Sequence, residues 1–205
     1  MLTTRFKHVL SRWIEPLALC LARCGVSPFA LTLAAPLLSS FVCYLFLRTG
    51  AVIPFCVAIT FIGALDGLDG AVARASGRVT KFGAYLDAVC DRYVEAIVAL
   101  TVAAVTGYWM LTMLVLVGSL LVSYAKARAA MEVPVSNQEW PDLMERTERG
   151  LLFVAGLAAG SVVPWRPLAH DLFWWTLVGL AGLVHLTAAQ RILRARRLIR
   201  ERSAE

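Results

Sequence analysis

Between residues 66 and 91 the sequence sets four carboxylates into a chain that is otherwise strongly apolar. It reads Asp66-Gly-Leu-Asp69-Gly70-Ala-Val-Ala73-Arg74, eight more residues, then Gly83-Ala-Tyr-Leu-Asp87-Ala-Val-Cys-Asp91. Asp66 and Asp69 are three positions apart and Asp87 and Asp91 four apart, so on helices each pair shares one face. One helical turn, about 5.4 Å, separates the members of a pair. Two antiparallel helices joined by a short turn would bring all four carboxylates to one point. Left bare in a membrane, each Asp costs roughly 2.5 to 3.5 kcal/mol, and mutual repulsion adds to that. Two divalent cations neutralise such a cluster, and ligation by oxygen alone suits Mg²⁺ or Mn²⁺.

The surroundings favour a membrane site. The chain has 205 residues, 59% of them hydrophobic, and a mean hydropathy of +0.70; this describes one membrane domain over 1–205 rather than a soluble globule. Of the 20 Lys and Arg, all but Arg48 and Arg166 fall in four clusters at 5–23, 74–92, 126–149 and 191–202. That spacing fits the positive-inside rule and argues against nucleic acid as the reason for the net charge of +6. The five cysteines (Cys20, Cys24, Cys43, Cys56, Cys90) form no paired framework, and are read as reduced packing residues.

The pattern predicts an all-α membrane protein with six transmembrane helices, preceded by an interfacial amphipathic helix over 2–23. In that first stretch Phe6, Leu10, Trp13, Leu17 and Leu21 oppose Arg5, Lys7, Arg12 and Glu15. Gly25-Val-Ser27-Pro28 then ends one helix and opens another, with Ser27 as N-cap. Apolar spans are expected over 31–47, from 52 through the first half of the Asp pattern, from the second half to 107, and over 110–125, 147–163 and 168–189. The polar turn 76–81 joins the two halves of the pattern, and 131–143 is a loop. Residues 190–205 read as a solvated basic tail. Six spans put both termini on the side holding the basic clusters, the cytoplasmic side, and the carboxylates at that face. His8, His170 and His185 are scattered and receive no role.

The spaced pattern Asp-x-x-Asp-Gly-x-x-Ala-Arg-x8-Gly-x-x-x-Asp-x-x-x-Asp resembles the signature of the CDP-alcohol phosphotransferases, membrane enzymes of phospholipid synthesis. The resemblance implies transfer of a phosphatidyl-type group from a CDP-linked lipid to a small polar alcohol, with release of CMP. It implies that Asp66, Asp69 and Asp87 bind metal, and that Asp91 binds a second ion and takes the acceptor's proton. Gly70, Arg74 and Thr80, with the segment Phe29-Ala30-Leu31-Thr32, match positions that contact the cytidine diphosphate; relatives commonly have Asn or Asp where this chain has Phe29. Lys126, Arg149 and Arg191 resemble the basic residues around the acceptor's phosphate in phosphatidylinositol-phosphate and archaetidylinositol-phosphate synthases. A cage of this kind suits a dianionic phosphate. A homodimer in the cytoplasmic membrane is expected.

Other readings stand beside this one. The same chemistry with glycerol 3-phosphate also calls for a basic cage. The four Asp alone could be helix-end carboxylates paired with Arg74, Arg78, Lys81 and Arg92, Gly70 and Gly83 could serve helix packing, and Glu95 could be a buried, hydrogen-bonded carboxyl. Lysine and arginine at cytoplasmic helix ends also follow from topology alone. A carboxylate-lined cation or proton carrier is the main alternative class, and a non-catalytic membrane scaffold is a third.

Overall fold

The computed structural model describes residues 15–133, 144 and 146–202, and among them every regular element is helical. After a helical stretch at 15–23, the helices are α1 (Pro28–Thr49), α2 (Val52–Leu65), α3 (Leu68–Ala75), α4 (Lys81–Thr106), α5 (Trp109–Glu132), α6 (Arg146–Val162) and α7 (Leu172–Arg202), with a 3₁₀ turn at Pro167–Ala169. The expected loop at 131–143 and the first part of the amphipathic stretch, 2–14, lie largely outside the described residues.

Four segments are long and apolar enough to cross a membrane: Pro28–Thr49, Val52–Ala75, Trp109–Glu132 and Leu172–Arg202. Their outer surfaces are apolar, with Leu37 70% and Met110 76% exposed, as expected where lipid rather than water is the solvent. Two other helices occupy positions where spans were expected. Helix α4 has 26 residues but carries Asp87, Asp91, Arg92 and Glu95, and α6 has 17 residues with Arg146, Glu148 and Arg149 in its opening turn.

The chain forms two compact units, one running to Leu45 and resuming over Val57–Val98, the other Phe46–Cys56 with Ala99–Glu205. In the first unit the 15–23 helix packs on α3. Ala18 is buried with Leu68, Ala71 and Val72, and Leu21, Ala22, Leu31 and Leu65 close over them. Of the expected apolar face, Leu21 packs on this cluster, while Leu17 is 45% exposed. The second span, Val52–Ala75, has a turn at Asp66–Gly67, where α2 stops and α3 begins. Glycines at 63, 67 and 70 lower helix propensity across the junction and permit the break. Helix α3 ends at Gly77, whose φ of +66° allows its own N–H to reach the Arg74 carbonyl and the Arg78 N–H to reach that of Ala73. This is a Schellman stop that an L-residue with a side chain would strain.

In the second unit α5 and α6 pack against α7 through bare backbone. A Cβ on Gly118 would lie 2.3 Å from Val184 Cγ2, one on Gly156 2.4 Å from Thr176 Cγ2, and one on Gly160 2.9 Å from the Phe173 backbone nitrogen. Asp171 caps α7: its Oδ1 accepts the Trp174 N–H at 2.8 Å and its Oδ2 the Tyr108 hydroxyl at 3.0 Å. Phe46 stacks on Phe55 with centroids 4.1 Å apart.

The expected solvated stretch needs correction at its start: α7 continues through 190–202 without a Gly or Pro to stop it, with Arg197 paired to Glu201 at 2.8 Å, and Arg191 alone among these residues is buried, 6% exposed. Of the five cysteines, Cys43, Cys56 and Cys90 are buried as expected, whereas Cys20 and Cys24 are exposed thiols, because the 15–23 helix buries Ala18 instead.

The glycine contacts predict that Gly160→Ala lowers the thermal stability of the detergent-solubilised protein by about 1–3 kcal/mol, because the Phe173 backbone cannot move aside. Gly179→Ala, which meets nothing within 4 Å, should be neutral or mildly stabilising. Thermal unfolding followed by helical circular dichroism reads both.

Candidate active site

The carboxylates gather where helices end and begin. Asp66 closes α2, its N–H still bonded to the Ile62 carbonyl at 3.1 Å. Asp69 sits in the first turn of α3, where the helix dipole favours a negative charge. Asp87 and Asp91 project from one face of α4, one turn apart, with Gly83 a turn before them. One carboxylate oxygen from each of Asp66, Asp87 and Asp91 lies within 4.8 Å of the others, and all three residues are half-buried. Oxygens on opposite sides of a single Mg²⁺ stand about 4.2 Å apart, so small side-chain rotations would place these three on one ion. An all-oxygen donor set fits a hard divalent cation.

Asp69 is the exception to the expected four-carboxylate point. Its Oδ2 accepts the Thr32 hydroxyl at 2.5 Å, and its Oδ1 accepts the Gly70 N–H at 2.5 Å. Asp66 and Asp69 stand on either side of the α2–α3 junction rather than within one regular helix.

Both residues nonetheless line one groove. Leu31, Thr32, Ala34, Ala35 and Leu38 of α1 form one wall, and Ile62, Leu65, Asp66, Leu68 and Asp69 the other. It is small, about 100 Å³, and open to the outside, and apart from Thr32 and the two carboxylates it is apolar. Such a surface accepts hydrocarbon along its length and a cation-bearing head group at its acidic end.

The remaining expected donor contacts are distributed around α1, α3 and the start of α4. Gly70 leaves room for the Arg74 guanidinium, whose Nη1 would be 3.4 Å from a Cβ placed there. Thr80 caps α4: its Oγ1 accepts the Gly83 N–H at 2.9 Å, leaving its own proton for another acceptor, and a Cβ on Gly83 would crowd that oxygen at 3.1 Å. Phe29 is 48% exposed and stacks on Phe82, centroids 6.4 Å apart. Thr32 is buried, and its hydroxyl serves Asp69.

Sequence reasoning underrated Arg92. Its guanidinium forms an ion pair with Glu95 at 3.0 Å and approaches Asp91 at 3.9 Å, so Glu95 is half of an ion pair beside the site. Spacing i,i+3 on the acidic face of α4 was the available signal.

In the second unit Arg149 is 4% exposed and donates to the Met144 carbonyl at 3.4 Å. Arg191 of α7, equally buried, donates to the Val122 carbonyl of α5. Lys126 lies one turn beyond Val122 on α5, half-buried. Two guanidiniums withdrawn from solvent are unusual without compensation or function.

The model of the CDP-alcohol phosphatidyltransferase family matches residues 26–182. This chain belongs to that family. It is a membrane phosphotransferase of the CDP-alcohol type, as the Asp pattern implied. The chain is 36% identical over 195 residues to the phosphatidylinositol phosphate synthase of Corynebacterium glutamicum, covering 89% of this chain and 83% of that one. It is 36% identical over 148 residues to the archaetidylinositol phosphate synthase of Pyrococcus horikoshii, covering 70% and 76%. Its fold resembles the crystal structure of Mycobacterium tuberculosis phosphatidylinositol phosphate synthase with CDP-DAG bound, at a TM-score of 0.77 and 28% identity, covering 90% of this chain and 94% of that one. The same enzyme in complex with manganese and citrate gives a TM-score of 0.75.

Removal of divalent cations should abolish activity reversibly. In excess EDTA turnover falls to background and returns on adding Mg²⁺ or Mn²⁺; full activity after exhaustive dialysis against chelator would contradict a metal role for these carboxylates.

Proposed function

We propose that this chain transfers a phosphatidyl-type group from a CDP-linked lipid to inositol phosphate, releasing CMP. The observation that carries the reading is the convergence of Asp66, Asp87 and Asp91 within 4.8 Å, next to an apolar groove, in a chain of this family. The names of the relatives point to inositol phosphate as acceptor.

In this reading Asp66, Asp69, Asp87 and Asp91 hold two divalent ions, Mg²⁺ or Mn²⁺. Bound there, the ions neutralise the diphosphate and stabilise the leaving oxygen. Gly70, Arg74, Thr80 and the backbone of Phe29-Ala30-Leu31-Thr32 receive the cytidine diphosphate, and the groove between α1 and α2 takes the lipid chain. The acceptor hydroxyl oxygen forms a bond to the lipid-bearing phosphorus, the bond from that phosphorus to the CMP oxygen breaks, and Asp91 takes the hydroxyl proton. Lys126, Arg149 and Arg191 bind the acceptor's phosphate; a guanidinium already desolvated pays little further penalty when it grips an anion. Glycerol 3-phosphate is the runner-up acceptor.

The same reading makes α4 and α6 the third and fifth of six spans. At 1.5 Å per residue they are about 39 Å and 26 Å long, against a hydrocarbon core of about 30 Å. Both termini, the 15–23 helix and the Asp cluster then lie at the cytoplasmic face of the cell membrane, in a homodimer. A single cysteine replacing Arg166 should be labelled only from outside in otherwise cysteine-free protein, and one replacing Arg200 only from inside. The opposite pattern would invert the topology.

Kinetics separate the roles. Asp91→Asn keeps an oxygen for metal but cannot take a proton, so kcat should fall about 10²- to 10⁴-fold while CDP-lipid binding largely survives. Lys126→Ala and Arg191→Ala should raise the KM for inositol phosphate about 10- to 100-fold, the loss expected for a charge-assisted hydrogen bond, with donor KM nearly unchanged. Free inositol and glycerol 3-phosphate are the comparison acceptors. Wild-type KM for inositol phosphate in both variants would sink the basic-cage assignment.

A further inference from the structure

We propose that Thr32 is a positioning residue for the metal-binding carboxylates and acts through Asp69; this rests on the reading of Asp69 as a metal ligand above. The two residues are 37 positions apart, on α1 and α3. Thr32 is 7% exposed. The oxygen lies 2.5 Å from Asp69 Oδ2 and 3.1 Å from the Pro28 carbonyl. A hydroxyl has one proton to give, and the carboxylate is the stronger acceptor. The proton therefore goes to Asp69.

The local geometry suits a positioning role. Threonine on a helix is stiff at χ1, and one of its two allowed rotamers points the hydroxyl at the carbonyl four residues back. Here that carbonyl is Pro28, and the same rotamer aims the oxygen at Asp69. The Asp69 Oδ1 is held separately by the Gly70 N–H. Both oxygens are thus fixed in direction, and each keeps a lone pair for a cation. The need for this tie follows from the break at Asp66–Gly67: Asp69 rides on an eight-residue helix, too short to be rigid by itself. The 15–23 helix seats the buried side of α3 through Leu68, Ala71 and Val72. Thr32 orients the acidic residue from α1. Spent on Asp69, its hydroxyl has no second proton for the cytidine diphosphate, so its effect on the donor is indirect.

The test compares Thr32→Val, which keeps the shape and removes the hydroxyl, with Thr32→Ser, which keeps the hydroxyl. Mn²⁺ binding to the full chain in detergent, without substrates, is followed by the electron paramagnetic resonance of free Mn²⁺. Thr32→Val should weaken binding about tenfold, the usual scale for losing a partner that orients a metal ligand. Thr32→Ser should stay within about twofold of wild type, which also controls for folding. In the double variant with Asp69→Asn, Thr32→Val should add nothing beyond Asp69→Asn alone. Turnover with the CDP-lipid should drop in parallel, with the acceptor KM unmoved. Wild-type Mn²⁺ affinity in Thr32→Val, or additivity of the two substitutions, would overturn this inference alone. Absence of Mn²⁺ binding by the wild type would overturn the metal reading and this inference with it.

Discussion

Negative charge gathered in an apolar chain is the constraint on which the site depends. Three half-buried carboxylates, of Asp66, Asp87 and Asp91, stand within 4.8 Å of one another, and at that separation like charges repel. The surrounding structure offsets this repulsion with donors and dipoles. Asp69 sits at the N-terminal turn of α3, where unbonded backbone N–H groups face it, and takes a hydroxyl from Thr32 and an N–H from Gly70. Arg92 lies between Asp91 and Glu95. These contacts make the cluster tolerable and leave it strongly cation-seeking.

The break between α2 and α3 is the price of this arrangement. A continuous helix would satisfy its backbone more completely, but it would carry Asp66 and Asp69 as a rigid pair on one face. The interruption at Asp66–Gly67 releases Asp66 toward α4 and hands Asp69 to α1. Packing of Ala18 and Leu21 against the buried side of α3 restores the stability that so short a helix lacks. A stretch that reads as a surface amphipathic helix thereby supports the chemistry directly, through its last turns.

The second unit meets a different requirement. With lipid on the outside, hydrophobic burial gives helices little reason to associate, and close contact between backbones takes its place. Gly118, Gly156 and Gly160 supply that contact to α7. The close approach also lets Arg191 of α7 reach the Val122 carbonyl in the body of α5. Arg149, in the opening turn of α6, donates to the Met144 carbonyl just before that helix.

The sequence by itself determined the class of the protein, the position of its helices and the identity of its carboxylates. Long apolar runs in lipid have little choice but to be helices, so most helix limits were legible to within a few residues; eight fixed residues of an unusual polar pattern sufficed for the family. Two things were not legible. Helical spacing carries no information on where a helix breaks, so the parting of Asp66 from Asp69 at Gly67 and the use of Thr32 as the partner of Asp69 appear only when α1 lies against α3. Nor does spacing distinguish a solvated arginine from a buried one: Arg191 reads as the start of a basic tail, and the packing of α7 on α5 alone withdraws it from solvent. Local propensity acts over a few residues along the chain, whereas burial and hydrogen-bond partners are set by residues tens of positions away.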